Sequence, residues 1–108
     1  MIHELRTYHC VPGKLPQLLK RMETVTLPLF RRHGIEPTGF WTVVVGESSQ
    51  QLIYLLRWQS MAEREQRWGA FQADPEWVAA RHETERNGPL IERASNTLLK
   101  PTAFSPAG

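Results

Sequence analysis

The chain has 108 residues, of which 41% are hydrophobic and 22% are charged, and this composition indicates one folded domain rather than a disordered segment. Thirteen Lys and Arg residues are interleaved with eleven Asp and Glu residues, so the charges are typical of a solvated face and we expect no nucleic-acid partner. No apolar run approaches the ~18 residues that a membrane span needs, and the N-terminus lacks a signal-peptide pattern, so we expect a cytoplasmic protein. The single Cys10 has no second cysteine for a disulfide, and we expect it to be a small buried hydrophobe.

The first predicted element is a β-strand with polar groups on both faces. Residues 2–11 have strand propensity, and side-chain alternation places Glu4, Arg6 and Tyr8 on one face. Since both faces are mixed, we expect each of them to meet either helices or a second subunit. The opposite face holds His3, Leu5, Thr7 and His9.

A helix is predicted after the turn that Pro12 and Gly13 form. Pro16 suits the first helical turn, where a missing backbone N–H costs nothing. Pro28 predicts a kink or an end to the regular helix, and Gly34 is its latest stop. Apolar residues recur at helical spacing and predict an amphipathic helix: Leu15, Leu18, Leu19, Met22, Val25 and Leu29.

A β-hairpin is predicted in the middle of the chain, where residues 40–45 and 51–59 are rich in β-branched and aromatic side chains and flank a polar stretch at 46–49. Both sides of this hairpin are substantially apolar, and a soluble monomer rarely exposes an apolar patch of several hundred Å². We therefore expect a homodimer joined sheet to sheet. Alternation within the two segments places Phe40, Val44, Ile53 and Leu55 on one side and Trp41, Val43, Tyr54, Leu56 and Trp58 on the other.

Two capping signals follow the hairpin. Ser60 and Glu63 form a capping-box pattern, in which each side chain bonds a free backbone N–H of the other residue, so a second helix begins at Met61. Asp74 and Pro75 end that helix and cap a further helical segment.

The last elements complete a recognisable order of helices and strands. A stop signal at residues 87–89 precedes a fourth strand at residues 90–99. The order β-α-β-β-α-β is the ferredoxin-like arrangement of the α+β class, a four-stranded antiparallel sheet with its helices on one face. We expect a single domain over residues 1–100 and an extended C-terminal tail over residues 101–108.

Seven short motifs are spread over nearly the whole chain: IHELRTY at residues 2–8, PGK at 12–14, GFWT at 39–42, SMAER at 60–64, DPEW at 74–77, LKP at 99–101 and FSP at 104–106. In this order and spacing they resemble the NIPSNAP family. The resemblance implies a dimeric α/β barrel, in a superfamily that also contains cofactor-free quinol monooxygenases, muconolactone isomerases, chlorite dismutases and haem-degrading enzymes. One departure is Tyr54, where His is more usual in relatives.

The resemblance also implies a place for a ligand, because the usual cavity of this architecture lies between the sheet and the helices of each subunit. Arg6 would hold an anionic or carbonyl group there, while Tyr8 and Tyr54 hydrogen-bond to it. The other interpretation is structural. Glu4 and Arg6 pair with each other or across the dimer and fix the strand register, because an isolated buried charge costs several kcal/mol, and the aromatic rings fill the core. The candidate ligand-binding residues are Arg6, Tyr8, Trp41, Tyr54, Trp58 and Trp68.

We expect no metal site and no cofactor. His3 and His9 lie ~20 Å apart along an extended strand, which is too far for one metal ion. We expect His33 and His82 to be exposed near helix ends. Some members of the superfamily bind haem through a helix histidine, and His82 is the corresponding position to consider, although its surroundings resemble no haem motif. The glycine and serine residues form no phosphate loop or nucleophile elbow.

Two hypotheses on function remain open. The first is an enzyme or binding protein for a small hydrophobic or aromatic molecule, in which Arg6, Tyr8 and Tyr54 polarise a carbonyl or stabilise an enolate during cofactor-independent oxygenation or isomerisation. The second is a non-catalytic protein-interaction module that uses its helix faces or its tail. A large cavity lined by these polar groups would favour the first hypothesis, and a filled core would favour the second.

Overall fold

The computed structural model describes residues 1–106, which form four strands and four α-helices. The strands are β1 (Ile2–Cys10), β2 (Glu36–Thr42), β3 (Gln51–Trp58) and β4 (Ile91–Leu99), and the helices are α1 (Leu15–Arg21), α2 (Leu27–Arg32), α3 (Met61–Ala73) and α4 (Pro75–Thr84). The strands pair antiparallel in the order β2-β3-β1-β4, and the helices lie against one face of the sheet. The predicted ferredoxin-like α+β fold is therefore confirmed.

A π-helical turn, Met22–Thr26, joins α1 to α2. Pro28 lies in the first turn of α2, and in a regular α-helix its ring would clash with the carbonyl of Thr24. The wider π turn gives that carbonyl room, so the regular α-helix is interrupted just before Pro28, as predicted. The helix then ends before Gly34, whose φ of 68° is a backbone conformation that glycine adopts without steric cost.

The hairpin begins and ends earlier than predicted. β2 includes Pro37, which an edge strand tolerates because the missing N–H faces away from the partner strand, and it ends at Thr42. The prediction that residues 43–45 continue the strand is wrong: Val44 and Val45 are almost fully exposed. Thr42 pairs with Leu52, at the very start of β3, so the next residues have no partner strand, whatever their intrinsic β-propensity.

The predicted faces of Phe40 and Trp41 are also exchanged. Phe40 pairs with Tyr54 and stacks on its ring at 5.2 Å, on the helix-covered face. Trp41 pairs with Ile53 on the opposite face, where it is 51% exposed. Paired residues share a face, and the irregularity between Pro37 and Gly39 helps to set a register that alternation within each strand does not reveal.

Both predicted N-cap residues accept a hydrogen bond from a backbone N–H of the helix that follows. The Ser60 hydroxyl accepts a hydrogen bond from the Glu63 N–H at 3.1 Å, and the Asp74 carboxylate accepts one from the Glu76 N–H at 2.8 Å. Asp74 also lies 2.7 Å from Nε2 of His33, which is half-buried rather than exposed as predicted. The reason is tertiary, because α4 brings Asp74 against the end of α2. His82 is exposed, as predicted.

The first strand has the predicted faces. Glu4, Arg6 and Tyr8 pair with residues of β3 that lie on the helix-covered side of the sheet, Leu56, Tyr54 and Leu52. Cys10 is buried, and burial raises the pKa of its thiol.

The end of the chain leaves the sheet after β4. Residues 100–106 contain no helix or strand, while residues 107 and 108 lie outside the described part, so the tail over residues 101–108 stays a prediction. None of the helices between residues 1 and 106 is long and apolar enough to cross a membrane.

Candidate functional site

Glu4 is the centre of a buried polar cluster on the helix-covered face. Its side chain is fully buried and accepts five hydrogen bonds of 2.8–3.0 Å, from Arg6, Trp58, Asn96 and, twice, Arg64. Burial would raise the pKa of the Glu4 carboxyl, but the hydrogen bonds from Arg64, Asn96 and Trp58 and the charge of Arg6 outweigh it and lower the pKa to about 2. Glu4 is therefore ionised at neutral pH and fully paired.

A chain of hydrogen bonds runs from this cluster to Tyr8. The Nε–H of Arg6 donates to the Tyr54 hydroxyl at 3.0 Å, and the hydroxyl oxygens of Tyr54 and Tyr8 lie 2.6 Å apart. Burial is the first cause that raises the pKa of Tyr54 well above its ordinary value, and the neighbouring Tyr8 raises it further, so Tyr54 is neutral. Because Arg6 donates to the Tyr54 oxygen, Tyr54 can donate its own proton to Tyr8, which leaves the Tyr8 proton for a ligand.

The positive charge of Arg6 is well accommodated. Its guanidinium lies 2.8 Å from the Glu4 carboxylate and 4.4 Å from the centre of the Trp68 ring. Burial would lower the pKa of Arg6, but the tyrosine hydroxyls and Glu4 together raise it above its ordinary value. Of the six candidate residues, the structure gathers five in and around this cluster, Arg6, Tyr8, Tyr54, Trp58 and Trp68, whereas Trp41 lies on the opposite face of the sheet.

A cavity of about 370 Å³ adjoins Tyr8, a volume within the range of small-molecule sites. It lies between the sheet, the first helix with its π turn, and α4. Tyr8 is the one candidate residue that lines it among those described, while Tyr54 and Trp58 are fully buried and fill the core beside it. Its apolar wall includes Leu18, Met22, Phe30 and Phe71.

The polar residues of the cavity wall other than Tyr8 were not predicted, and the most buried of those that carry an N–H donor are Arg21 and Trp77. Both are more than nine-tenths buried. Nη1 of Arg21 donates to the Thr84 hydroxyl at 3.1 Å and lies 3.4 Å from the Glu85 carboxylate. A signal for Arg21 was present in the sequence: it falls between Leu18 and Met22 on the apolar stripe of the helix, where a charged residue is unusual.

No group of three or more His, Cys, Asp or Glu side chains within residues 1–106 is arranged to hold a metal ion.

Comparison with known proteins places the chain in a family. The profile of the NIPSNAP family matches residues 3–106. The chain belongs to the NIPSNAP family. A NIPSNAP family protein with unknown function from Agrobacterium tumefaciens is 30% identical, with a TM-score of 0.85 over 98% of this chain and 92% of that chain. An uncharacterized NIPSNAP domain protein from Burkholderia xenovorans is 25% identical, with a TM-score of 0.84 over 98% and 99% of the two chains.

The NIPSNAP fold of this chain is shared more widely. An antibiotic biosynthesis monooxygenase superimposes with a TM-score of 0.61 over 94% of this chain and 99% of that chain. At 9% identity, this likeness shows the fold alone. No functionally curated protein is similar enough in sequence to match the chain.

Proposed function

We propose that this NIPSNAP protein binds a small hydrophobic or aromatic molecule in the cavity beside Tyr8 and polarises an oxygen atom of that molecule. The observation that supports this proposal most is the position of Tyr8, which lines the cavity and ends the hydrogen-bond chain from Arg6 through Tyr54. A ligand oxygen that accepts from Tyr8 is thereby connected to the buried guanidinium of Arg6.

The chemistry that suits this arrangement is stabilisation of negative charge on oxygen. A donor that is fixed in advance and backed by a cation stabilises an enolate or phenolate more than the neutral carbonyl or phenol from which it forms. Enolates of this kind react in isomerisation and with dioxygen, so a cofactor-independent isomerase or monooxygenase is the enzymatic form of the proposal. Arg6, Tyr8 and Tyr54 hold the charge, while Trp58 and Trp68 pack around Glu4 and Arg6.

Tyr8→Phe tests the proposed donor. Butyrophenone, an aryl ketone, is expected to bind about 2- to 10-fold more weakly to this variant, the usual value of one neutral hydrogen bond. Butylbenzene has no oxygen, and its affinity is expected to be unchanged. Isothermal titration measures both affinities, and the carbonyl carbon NMR shift of bound butyrophenone is expected to move upfield in the variant because the carbonyl is less polarised. Equal effects on both compounds, or no binding of either to the wild type, would contradict the proposal.

We also propose that the protein is a homodimer. β4 is a nine-residue edge strand, its residues 92–99 are exposed, and its outer edge pairs with no other strand of the described chain. Long unprotected edge strands are rare in soluble proteins because they attract further strands. On the sheet face that no helix covers, the apolar side chains of Trp41 and Leu99 are 51% and 40% exposed. A second copy of the chain would cover both this face and the edge of β4.

Sedimentation velocity tests the homodimer. The wild type is expected to sediment at twice its chain mass of 12.5 kDa, and the double variant Trp41→Glu, Leu99→Glu is expected to raise the dimer Kd by about 30-fold or more, because buried glutamates must be desolvated. Val78→Glu is the matched control, since Val78 is 54% exposed on α4, on the helix-covered side. A wild type that is monomeric at about 10 μM, where biological dimers with ordinary affinity are assembled, would contradict the homodimer.

The alternative function, a non-catalytic protein-interaction module, is favoured by the same exposed edge of β4. In that case the edge would pair with a strand of another protein, and the cavity would have no ligand. Binding of butyrophenone distinguishes the ligand-binding protein from the interaction module. Only the ligand-binding protein is expected to bind the ketone with an affinity that depends on Tyr8.

A further inference from the structure

The cavity wall contains two buried hydrogen-bond donors without an acceptor. Nε of Arg21 and Nε1 of Trp77 are both buried and have no hydrogen-bond partner among residues 1–106. Arg21 is 4% exposed and Trp77 is 8% exposed, and both residues line the cavity. An unmet buried donor costs about 1–3 kcal/mol, and such groups in native proteins usually have a ligand, ion or water to bind.

The two side chains that carry these donors are in contact with each other. The guanidinium carbon of Arg21 lies over the Trp77 ring, 5.2 Å from its centre, so both donors belong to one small part of the cavity wall. They come from different elements, α1 and α4, so the pair exists only because the two helices pack together over the sheet.

The charge of Arg21 is incompletely balanced. Burial lowers the pKa of its guanidinium, and Glu85 offsets this only in part. Glu85 is shared, since its carboxylate lies 3.4 Å from Arg21 and 3.2 Å from Arg81. Arg6, by contrast, has a raised pKa because Glu4 and the tyrosines over-compensate its burial. Arg21 therefore lies where an additional negative charge would be stabilised.

The whole lining has the same imbalance. Its basic side chains are Arg21, Arg81 and Arg93, and its acidic side chains are Glu85 and Glu92, so one positive charge exceeds the negative ones. An excess of one positive charge fits a singly charged anion rather than a polyvalent one. Apolar residues form much of the remaining surface, which suits a ligand with an apolar body.

We propose that the ligand of this cavity is a monocarboxylate, whose carboxylate accepts hydrogen bonds from Nε of Arg21 and Nε1 of Trp77 while a second oxygen of the same molecule faces Tyr8. This inference rests on the proposed function, because it names the substrate class of the same cavity. A keto acid or phenolic acid with an aromatic or aliphatic body has the required groups. The carboxylate end anchors the molecule, and the carbonyl or phenol end is the one that Tyr8 polarises.

The test uses compounds that differ in one group at a time. β-Benzoylpropionate has both the ketone and the carboxylate, β-benzoylpropionamide replaces the carboxylate with a neutral amide, and butyrophenone lacks it. The wild-type protein at neutral pH is expected to bind the acid about 10- to 100-fold more tightly than the amide, the range for hydrogen bonds to a charged group. Isothermal titration measures the three affinities.

Two conservative variants assign the effect to the named donors. Trp77→Phe keeps one aromatic ring and removes the indole N–H together with the second ring, and it is expected to weaken acid binding relative to butyrophenone about 3- to 10-fold. Arg21→Lys keeps the positive charge near Glu85 and removes the Nε donor, and it is expected to reduce the preference for acid over amide. The affinity of the acid relative to butyrophenone is expected to fall in both variants, because a change in packing alone affects both compounds. Thermal unfolding followed by circular dichroism checks the fold, and Trp77→Phe alone suffices if Arg21→Lys does not fold.

The outcomes separate this inference from the function on which it rests. If butyrophenone binds in a Tyr8-dependent way but the acid has no advantage over the amide, the carboxylate assignment is overturned and the proposed function stands. If the acid is preferred but Trp77→Phe and Arg21→Lys leave that preference unchanged, the assignment to these two donors is overturned. If no compound binds to the wild type, both proposals fail.

Discussion

Replacing Glu4 with glutamine is expected to lower the free energy of unfolding by about 3–5 kcal/mol, the usual cost of removing one partner from a buried ion pair. Glutamine has nearly the same shape, so the packing is kept and the loss reports the missing charge. Arg6 and Arg64 would retain their positive charges with an amide oxygen as the acceptor in place of a carboxylate. Equilibrium unfolding in urea, at one fixed protein concentration, measures the loss.

Glu63→Gln is the matched control for this substitution. The Glu63 carboxylate lies 3.6 Å from Arg67 in an i,i+4 pair on α3, and i,i+4 helix pairs contribute about 0.3–0.5 kcal/mol. The two variants make the same chemical change in a buried cluster and on a helix surface. A difference between them of less than about 1 kcal/mol would contradict the view that the Glu4 cluster stabilises the sheet.

The stability of the wild type is expected to fall in acid through a window that Glu4 defines. Its carboxyl has a pKa of about 2 in the folded protein against an ordinary value of 4.5. A lowered folded-state pKa contributes stability that is fully present above the unfolded-state value and is lost as the pH falls from about 4.5 towards 2. The contribution of this one group amounts to about 3 kcal/mol.

Urea unfolding at a series of pH values between neutral and strongly acidic tests the acid window. Because glutamine does not titrate, the stability profile of Glu4→Gln is expected to be flatter than that of the wild type below pH about 4.5, and the two curves should converge towards pH 2. Other carboxyl groups titrate in both proteins and cancel in the difference. Two parallel curves would show that Glu4 has the same pKa in the folded and unfolded states.

Much of the architecture could be predicted because its signals are local. Alternation along β1 placed Glu4, Arg6 and Tyr8 on one face, since successive side chains of a strand must point to opposite sides. The caps at Ser60 and Asp74 are also local, because each side chain bonds a backbone N–H two or three residues away. All the residues that form such a pattern lie within the short segment that becomes the strand or helix, so the sequence of that segment is sufficient to predict it.

The hairpin could not be predicted in detail because its register depends on pairing. The sequence of residues 40–45 favours a strand, but Val44 and Val45 have no partner strand to bond. Phe40 and Trp41 were assigned to the wrong faces because the pairing of β2 with β3 is offset at an irregularity before Gly39. A shift of one residue moves every side chain to the other face.

The candidate site also combines contacts that local sequence predicts with contacts between distant segments that it does not predict. Arg6 and Tyr8 share a strand face, so their proximity could be expected from alternation alone, whereas Tyr54 lies opposite Arg6 because of the register between β1 and β3. Arg64 and Asn96, which complete the shell around Glu4, are 60 and 92 residues away in the chain. Nothing in their local sequence indicates a shared acceptor.

The sequence by itself determined the polar face of β1 and the helix caps, because each depends on spacing within a short segment, and it determined the ferredoxin-like order of elements and the family, because these depend on the order of such segments along the chain. Only the tertiary structure decided which side chains meet across elements: the five donors around Glu4, the cavity beside Tyr8, and the pair of unmet donors on Arg21 and Trp77. The physical reason is that burial and pairing depend on how the helices pack on the sheet. The sequence shows that Arg21 lies on the apolar stripe of its helix, but only the packing shows which groups surround its charge.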